Sequence, residues 1–352
     1  MKTINNRCDL LILTNLPAFY KVNLFNKLAE KGKIRVVFFQ RNTKERANEF
    51  YGDPDKMNFE CIYLSDYNFI YRYSLLIRML LKGSYSRMIA GGWDSFYYWL
   101  ALVLSDKTKN ALINESSCQE SRIDGVKGLV KRLLVKRVSI AYLPGQSHAC
   151  LMEHLQFHGL KIITKGAGLF HYNSRIKRLI TEECDVSRFL YVGRFAKEKN
   201  LEFLIRTFND LPHLKLTLIG YGPLEAELKE IARSNIQFEG RVDNKDMAKY
   251  YHSHDVFVLP SLSEPWGLVV EEALHHGLPV LLSSKVGCAD TLMEADKYGC
   301  IFNPQDSSDL TRCINGIRDK NTYNKMVNAI SELDFEEVGR KQVEAYLITS
   351  ES

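Results

Sequence analysis

The chain has 352 residues, of which 45% are hydrophobic and 25% are charged. This length predicts two globular domains, each able to bury its own core, and no apolar run approaches the ~18 residues of a membrane span. The eight cysteines are scattered without a C-x-x-C pair, which argues against a disulfide-rich secreted protein and predicts reduced, mostly buried thiols in the cytoplasm without a zinc site.

The net charge of +5 conceals an asymmetry between the two halves of the chain. Residues 1–175 carry 26 Lys and Arg against 14 Asp and Glu, whereas residues 176–352 carry 21 against 28. We therefore expect two domains with different partners. A basic half also suits nucleic acid, but the chain has no recognised nucleic-acid motif, so we expect no nucleic acid among its partners.

The first half alternates between strand and helix patterns. Residues 10–13 and 34–39 are apolar runs typical of buried strands, and the spacing between them predicts a helix over 22–30. Such a βαβ opening predicts a doubly wound sheet. Further on, the wholly apolar stretch 96–104 predicts a helix that faces the core, while Asp53-Pro54-Asp55 has D-x-D spacing but lies among turn residues, so we interpret it as a turn.

Polar residues at predicted strand ends are candidates for an acceptor site. Asn15 follows the first strand, and Glu115 ends the strand predicted over 111–115. Asp94 follows the strand over 87–91, where it either supports an acceptor or, as we favour, caps the next helix.

A basic amphipathic helix is predicted over 125–141, where cations such as Lys131 and Arg132 surround Leu129 and Leu133. Such a helix either lies on an anionic membrane surface or packs on the core with a solvated basic face. The helix alone leaves both open, and the basic charge of the whole half favours a membrane-proximal acceptor domain. We therefore expect a cytoplasmic protein with an anionic membrane surface as a further candidate partner, contacted peripherally on the inner face.

Two segments of the second half predict a site for an anionic ligand. Arg194 and Lys199 flank a turn between a strand and a helix, where two cations clamp a diphosphate. Residues 255–282 contain strand, loop, helix and strand, with the helix predicted over 265–276. A helix N-terminus above a strand end binds anions through its free N–H groups and its dipole.

Glu264 and Glu272 lie eight residues apart in this second segment, or ~12 Å along a helix. That separation suits two contacts on one elongated ligand rather than a pair that shares a proton. The alternative is an ordinary amphipathic helix with Glu271 and Glu272 on its solvated face.

Four segments resemble the family-4 retaining glycosyltransferases, also called group 1 glycosyltransferases, which have the GT-B fold: TNLPAFYKVNLFNKLAEKG, VGRFAKEKN, IGYGPLEAEL and SEPWGLVVEEAL. The resemblance is specific in residues 190–285 and loose in 40–180. It implies an α/β protein with two Rossmann-like doubly wound domains that face one another across a cleft. Residues 1–175 would form the acceptor domain, with a helix at about 335–352 crossing back, and 176–334 the nucleotide-sugar domain.

The resemblance also implies roles for the candidate residues. The catalytic set comprises Arg194 and Lys199, which neutralise the leaving diphosphate, and Glu264, which contacts the donor sugar, while Glu272 holds the nucleotide ribose. On the acceptor side, Asn15, residues 19–21, Asp94 and Glu115 are candidates. The full implied donor-binding set is Arg194, Lys199, Val242, Glu264, Gly267, Leu268, Val269 and Glu272.

The function that the resemblance implies is transfer of a sugar, with retention of configuration, from a UDP- or GDP-sugar to a glycan or lipid-linked glycan in bacterial surface-polysaccharide synthesis. We expect no metal and no cofactor, since the two cations and the helix dipole replace them. The family often has a His where this chain has Gly91-Gly92-Trp93-Asp94. It commonly has Phe where this chain has Trp266, and we expect Trp266 to shape the sugar pocket. A sugar-nucleotide epimerase and a non-catalytic glycan- or nucleotide-binding protein stay open as alternatives.

Overall fold

The structure is a computed structural model that describes residues 7–43, 50–118, 120–121, 123–169, 185–293 and 297–348. The chain forms two compact units, Met1–His171 with Glu336–Ser352, and Tyr172–Phe335. The charged, aperiodic stretch 165–187 predicts an interdomain linker, and most of it lies outside the described residues.

The first unit is built on a seven-stranded sheet in which the strand pairs are parallel. Its strand order is β3-β2-β1-β4-β5-β6-β7, so the chain reverses its direction of winding between β1 and β4. The strands are β1 Cys8–Thr14, β2 Ile34–Phe38, β3 Glu60–Tyr63, β4 Tyr85–Ala90, β5 Asn110–Ile113, β6 Ile140–Leu143 and β7 Leu160–Ile163.

Helices cover both faces of this sheet, because alternate residues of one strand enter different hydrophobic clusters. Leu11 and Leu13 of β1 pack in one cluster, while Leu10 and Ile12 pack in the other. A strand covered on both faces needs an apolar run, and β1 has one over residues 10–13. The helices are α1 Phe19–Ala29, α2 Phe69–Lys82, α3 Phe96–Leu104, α4 Gly125–Val135 and α5 Gln146–His154.

The second unit has a six-stranded sheet, also with parallel pairs, in the order β10-β9-β8-β11-β12-β13. The two sheets confirm the predicted α/β class. The strands are β8 Arg188–Val192, β9 Lys215–Ile219, β10 Ile236–Gly240, β11 Val256–Leu259, β12 Val280–Ser283 and β13 Gly299–Phe302. The helices are α6 Leu201–Asn209, α7 Glu225–Ile231, α8 Asn244–Ser253, α9 Leu268–His275, α10 Ala289–Leu292, α11 Ser307–Arg318 and α12 Lys320–Ser331.

The last helix, α13 (Phe335–Leu347), packs within the first unit. The Tyr346 ring lies 4.5 Å from that of Tyr142 between centroids, and the Tyr142 hydroxyl donates to the Tyr346 carbonyl at 3.2 Å. Arg87 donates to the Ile348 carbonyl at 2.6 Å. Buried aromatic contact and a charged hydrogen bond thus hold the chain end to β4 and β6.

Two helix predictions in the first half need correction. The apolar helix α3 does not face the core all round, because Phe96 and Val103 are 57% and 59% exposed while Tyr98 and Leu102 are buried. The basic helix predicted over 125–141 ends at Val135, because residues 140–143 leave it to form a central strand of the sheet. By contrast, Asp53-Pro54-Asp55 does form a turn, in which the Asp53 side chain accepts a hydrogen bond from the Asp55 amide at 3.0 Å.

The cysteine expectations are also partly wrong. Cys300 of β13 and Cys313 of α11 form a disulfide, although the sequence separation of 13 gives no hint of it. Cys118, Cys150 and His154 come within 4.8 Å of one another, so a Cys/His cluster forms where scattered thiols are predicted. Across the ranges that the structure describes, no helix combines the length and apolar character needed to traverse a bilayer.

Candidate active site

The candidate residues of the second unit gather where its sheet changes winding direction. β8 and β11 are parallel neighbours, yet the chain leaves β8 towards one sheet edge and β11 towards the other. At such a switch point the connecting loops diverge and leave a crevice at the carboxyl ends of the strands. The loop after β8 carries Arg194 and Lys199, and the loop after β11 carries Glu264.

Helix α9 begins above this point, three residues later than the sequence predicts. Its N-cap is Gly267, whose φ of 97° lies in the left-handed region that favours glycine. The N–H groups of the first turn, including those of Leu268 and Val269, have no carbonyl four residues earlier within the helix, so they suit an anion. Glu264 therefore lies on the loop before α9, and the predicted ~12 Å helical rise to Glu272 does not apply.

Close backbone packing holds the loop of Glu264. The Gly287 amide donates to the Glu264 carbonyl at 2.8 Å, and Glu264 forms an isolated parallel bridge with Val286. A Cβ at Gly287 would lie 1.7 Å from the Pro265 carbonyl oxygen, so only glycine permits this approach. The segment after β12 thus acts as a rigid support for the carboxylate.

Lys199 and Glu264 form an ion pair between the two loops. Their side chains are only 16% and 14% exposed, and the Ser261 hydroxyl lies 3.5 Å from the same carboxylate oxygen. Asn200 fixes the end of the lysine loop, since its amide donates to the carbonyls of Pro260 and Pro304 at 3.2 and 2.9 Å. A half-buried cation is therefore held beside the start of α9, as a diphosphate site requires.

Arg194 is the more exposed of the two cations. Its guanidinium donates to Glu198 at 2.7 Å and its side chain is 50% exposed, so it is free to turn towards an incoming ligand. The carbonyl of Arg194 accepts a hydrogen bond from the buried Tyr191 hydroxyl at 3.0 Å, which orients the backbone of this turn.

Glu272 lies within α9 as a half-buried carboxyl group. The Tyr251 hydroxyl of α8 donates to its Oε2 at 2.9 Å, and the Tyr251 ring stacks on His276 with 4.9 Å between centroids. Burial raises the pKa of Glu272 to about 7, and the hydrogen bond from Tyr251 only partly offsets this effect. The carboxyl group therefore titrates near neutral pH in the absence of a ligand.

Glu271 contradicts the alternative of a solvated helix face, because it is only 7% exposed. The Trp266 indole N–H donates to its Oε1 at 2.6 Å, and burial raises the pKa of Glu271 to about 8. Trp266 is itself 3% exposed, so its ring packs inside the unit and does not line an open pocket as predicted. This pair was not predicted from the sequence, although a Trp five residues before a Glu across a helix start is a usable signal.

Val242 follows β10, which lies two strands from β8 and three from β11, the strands that precede Lys199 and Glu264. It lies at the same carboxyl edge as the other candidates, and its side chain is half-buried. The structure thus brings the donor-side candidates to one edge of one sheet.

Two acceptor-side candidates, Asn15 and Asp94, also meet at a switch point, between β1 and β4 of the first unit. The Asn15 side-chain amide donates to Asp94 at 3.0 Å. Asp94 does not cap α3, since the Ser95 hydroxyl accepts the capping hydrogen bond from the Tyr97 amide. The favoured cap assignment for Asp94 is therefore wrong, and its carboxylate is held by Asn15 instead.

Glu115 forms an ion pair with Lys21 at 2.8 Å, with side chains 31% and 15% exposed. Burial opposes the charge of Lys21, but the Glu115 carboxylate outweighs it and raises the lysine pKa above its usual range. Lys21 belongs to the first turn of α1, which begins at Phe19, so residues 19–21 are helical and not part of a loop. Lys21 lies six residues after Asn15, and Glu115 follows β5, the strand beside β4, which precedes Asp94.

Residues 186–319 match the family model described as glycosyl transferases group 1. Sulfoquinovosyl transferase SQD2 of Arabidopsis thaliana is 34% identical over 168 residues, which are 45% of this chain and 32% of that protein. O-antigen chain mannosyltransferase C of Escherichia coli is 29% identical over 157 residues, 43% of this chain and 42% of that protein. The chain thus spans less than half the length of these curated relatives.

Among solved structures, HepE of Anabaena in complex with UDP-glucose matches with a TM-score of 0.66 at 15% identity, covering 97% of this chain and 99% of that chain. At such low identity the likeness concerns the fold. Residues 186–319 therefore match the group 1 glycosyltransferase family, and the two Rossmann-like units have the GT-B fold.

Proposed function

We propose that the chain is a retaining glycosyltransferase that moves a sugar from a nucleoside-diphosphate donor to a glycan or lipid-linked glycan. The observation that carries this proposal is the Lys199–Glu264 ion pair beside the first turn of α9. In transfer, the bond from the anomeric carbon to the diphosphate oxygen breaks, the acceptor hydroxyl oxygen bonds to that carbon from the same face, and the hydroxyl proton passes to the departing diphosphate. Negative charge then grows on the diphosphate, where preorganised cations and N–H groups stabilise it most.

Each donor-side residue has a role in this proposal. Lys199 and Arg194 bind the diphosphate, Glu264 orients the sugar hydroxyls once Lys199 turns to the phosphates, and Glu272 accepts from the ribose hydroxyls. The amides of Gly267, Leu268 and Val269 support the distal phosphate, and the backbone at Val242 contacts the nucleobase. The donor is a UDP- or GDP-sugar, and the UDP-glucose named with the HepE structure supports the uridine form.

Diphosphate binding by Arg194 and Lys199, which we call the diphosphate clamp, is tested by thermal stabilisation with UDP, GDP, ADP and CMP. A ligand that binds only the folded chain stabilises it by RT ln(1 + [L]/Kd), so one diphosphate is expected to raise the melting temperature. Arg194→Ala with Lys199→Ala removes that shift, because each charged hydrogen bond contributes about 1.5–3 kcal/mol. Lys197→Ala, an uninvolved lysine in the same turn, serves as the matched control.

A nucleotide-induced rise in melting temperature that persists in the double variant would overturn the diphosphate clamp. Loss of the shift in Lys197→Ala as well would point to general disruption of the turn. Donor turnover in the absence of any acceptor would favour an epimerase, and nucleotide binding without turnover on any glycan would favour a non-catalytic protein. Retention is measured separately, from the anomeric configuration of the product by proton NMR.

Metal independence follows from the same cations. Lys199 and Arg194, together with the N-terminus of α9, supply the positive charge that a divalent ion supplies elsewhere. We expect transfer to continue in EDTA. Strict loss of transfer that a divalent ion restores would contradict this part of the proposal.

An anionic membrane is the second partner that we propose, for a face of the first unit formed by α2, α3 and α4. We call it the apolar–basic face, and its large exposed apolar residues are Phe69, Ile70, Leu81, Phe96, Trp99, Val103, Val126, Leu129 and Leu133. Ile70 and Val126 are 81% and 78% exposed, and a group of exposed apolar side chains on neighbouring helices marks an interaction surface more often than single exposed residues do. Ring contacts join α2 to α3, with 6.2 Å between the centroids of Tyr73 and Phe96.

Cations surround these apolar side chains. Arg78 and Lys82 belong to α2, and Lys127 and Arg132 belong to α4. Exposed apolar side chains flanked by cations suit an anionic bilayer, where the apolar groups enter the membrane interface and the cations meet the lipid headgroups. Surfaces that bind proteins contain fewer lysines. This arrangement supports peripheral attachment to a membrane that holds a lipid-linked acceptor.

A further inference from the structure

A cluster of two cysteines and one histidine lies in the first unit, and none of the three is among the residues proposed for transfer. Cys118 follows β5, while Cys150 and His154 belong to α5, which follows β6. Because β5 and β6 are adjacent parallel strands, the segments that leave their carboxyl ends meet at one edge of the sheet. The Cys118 amide donates to the Ser147 carbonyl at 3.2 Å, which fixes the loop against the first turn of α5.

The spacing of Cys150 and His154 places them on one face of α5, one helical turn apart. The Cys118 sulfur lies 3.6 Å from His154 Nδ1, and the Cys150 sulfur lies 3.5 Å from the same nitrogen. All three ligand atoms lie within 4.8 Å of one another, and neither cysteine forms a disulfide. The cluster is thus already assembled without any ion.

We infer that Cys118, Cys150 and His154 form a zinc site that ties the loop after β5 to helix α5. A tetrahedral Zn²⁺ with bonds of about 2.3 Å to sulfur and about 2.0 Å to nitrogen holds those atoms about 3.5 Å apart. The observed sulfur–nitrogen distances of 3.6 and 3.5 Å match this separation. Two thiolates and one imidazole select Zn²⁺ over Mg²⁺ or Ca²⁺, which prefer oxygen ligands.

Three protein ligands leave one tetrahedral position, and the cluster is open enough to fill it with water. Cys118 and Cys150 are half-buried and His154 is exposed. His154 Nδ1 also lies 2.8 Å from the Cys150 carbonyl oxygen, to which it donates in the absence of an ion. Zinc at Nδ1 replaces that proton and requires the ring to turn away from the carbonyl, which lowers the affinity relative to a four-ligand site.

The site has a structural consequence for the acceptor side. Glu115, which pairs with Lys21, lies three residues before Cys118 in the same loop. The side chain of Asn114 also closes a turn in this loop, accepting from the Ser116 amide at 3.1 Å. Bound zinc therefore restrains the segment that positions Glu115.

Cobalt substitution tests the site in the full chain, kept reduced with a phosphine. We expect about one Co²⁺ per chain, with intense visible bands of tetrahedral cobalt and near-ultraviolet thiolate charge transfer. Zn²⁺ then displaces Co²⁺, bleaches both features and raises the melting temperature. Cys118→Ser and His154→Ala lose the bands, while Cys61→Ser, which changes a half-buried thiol in β3 of the same unit, keeps them.

Weak octahedral cobalt spectra that are equal in wild type and Cys118→Ser would overturn the zinc site. So would a Cys118–Cys150 disulfide found by mass spectrometry in protein alkylated at lysis. The spectra do not depend on UDP binding, so failure here leaves the transferase proposal unaffected. Assay of Cys118→Ser in EDTA separates loss of this ion from a metal requirement at the donor.

Discussion

Glu271 and Glu272 are adjacent in α9 but have different surroundings. Glu271 is buried under Trp266, whereas Glu272 is half-buried beside Tyr251. At the residue scale this difference separates a carboxyl group that supports the fold from one that is placed to meet a ligand. Their pKa values predict separate experiments.

Stability should depend on pH through Glu271. Because burial raises its pKa from 4.5 to about 8, the folded chain keeps a proton that the unfolded chain releases. Stability is therefore lost as pH rises between these values. Glu271→Gln keeps the hydrogen-bond acceptor for Trp266 but cannot ionise. Between about pH 5.5 and about pH 8, the free energy of unfolding of this variant, measured in urea, should therefore fall by about 2–3 kcal/mol less than that of wild type.

The control for this experiment is Glu230→Gln, since Glu230 is exposed on α7. It should follow the wild-type pH dependence. If the Glu271→Gln curve stays parallel to wild type across the range, Glu271 does not hold a proton in the folded state.

Nucleotide affinity should depend on pH through Glu272. Its pKa of about 7 means that the free chain carries a neutral carboxyl group below neutral pH and a carboxylate above it. A carboxylate accepts ribose hydroxyls more strongly by about 1 kcal/mol, so UDP affinity should rise about fivefold from about pH 6 to about pH 8 relative to Glu272→Gln. Calorimetry on both proteins measures this, and ionisation of UDP itself cancels in the ratio. Equal pH profiles would exclude a ribose contact by Glu272.

At the element scale, the position of α9 depends on its first residue. A Cβ at Gly267 would lie 3.1 Å from Val286 Cγ1, in a backbone conformation that other residues rarely adopt. Gly267→Ala should therefore cost about 1–2 kcal/mol and weaken UDP binding, because the N-terminus of α9 must shift. Thermal unfolding with and without UDP measures both effects.

Gly316→Ala is the matched control, since Gly316 lies inside α11 and a Cβ there meets nothing within 4 Å. It should raise stability by about 0.5–1 kcal/mol and leave UDP binding unchanged. If Gly267→Ala proves as harmless as this control, the left-handed cap does not determine where α9 begins.

At the scale of the whole molecule, the basic charge is concentrated in residues 1–175. Binding to vesicles that contain phosphatidylglycerol should weaken with salt, and Lys127→Glu should lower affinity about fivefold or more at low salt. Ile70→Ser with Leu81→Ser should weaken binding at any salt, because it removes apolar insertion. Cosedimentation measures both dependences.

Leu160→Ser is the control for the apolar variants, since Leu160 is 42% exposed in the first unit but outside the apolar–basic face. It should bind vesicles like wild type. If the chain binds vesicles of phosphatidylcholine alone as tightly as those with phosphatidylglycerol, the cations do not contribute to binding. If it binds neither kind of vesicle, the membrane is not a partner of this face.

Much of the fold could be predicted because its signals are local. Parallel strands covered on both faces require apolar runs such as residues 10–13 and 256–259, and these appear as strands in the structure. Helix ends were less predictable. Residues 136–141 continue the period of α4, but β6 takes residues 140–143 because the sheet needs a strand there. The stretch 96–104 is apolar throughout, yet only one face of α3 meets a neighbour.

The sequence by itself determined the two α/β units and the segments that carry Arg194, Lys199, Glu264 and Glu272. These features are encoded locally, because the apolar spacing of a strand or helix and the glycines that end it lie within a few residues of one another. Only the tertiary structure decided which distant groups meet. It pairs Lys199 with Glu264 and Asn15 with Asp94, and it brings Cys118 to the helix of Cys150 and His154. The physical reason is that strand order and register, which no local pattern encodes, determine which loops meet at the carboxyl edge of a sheet.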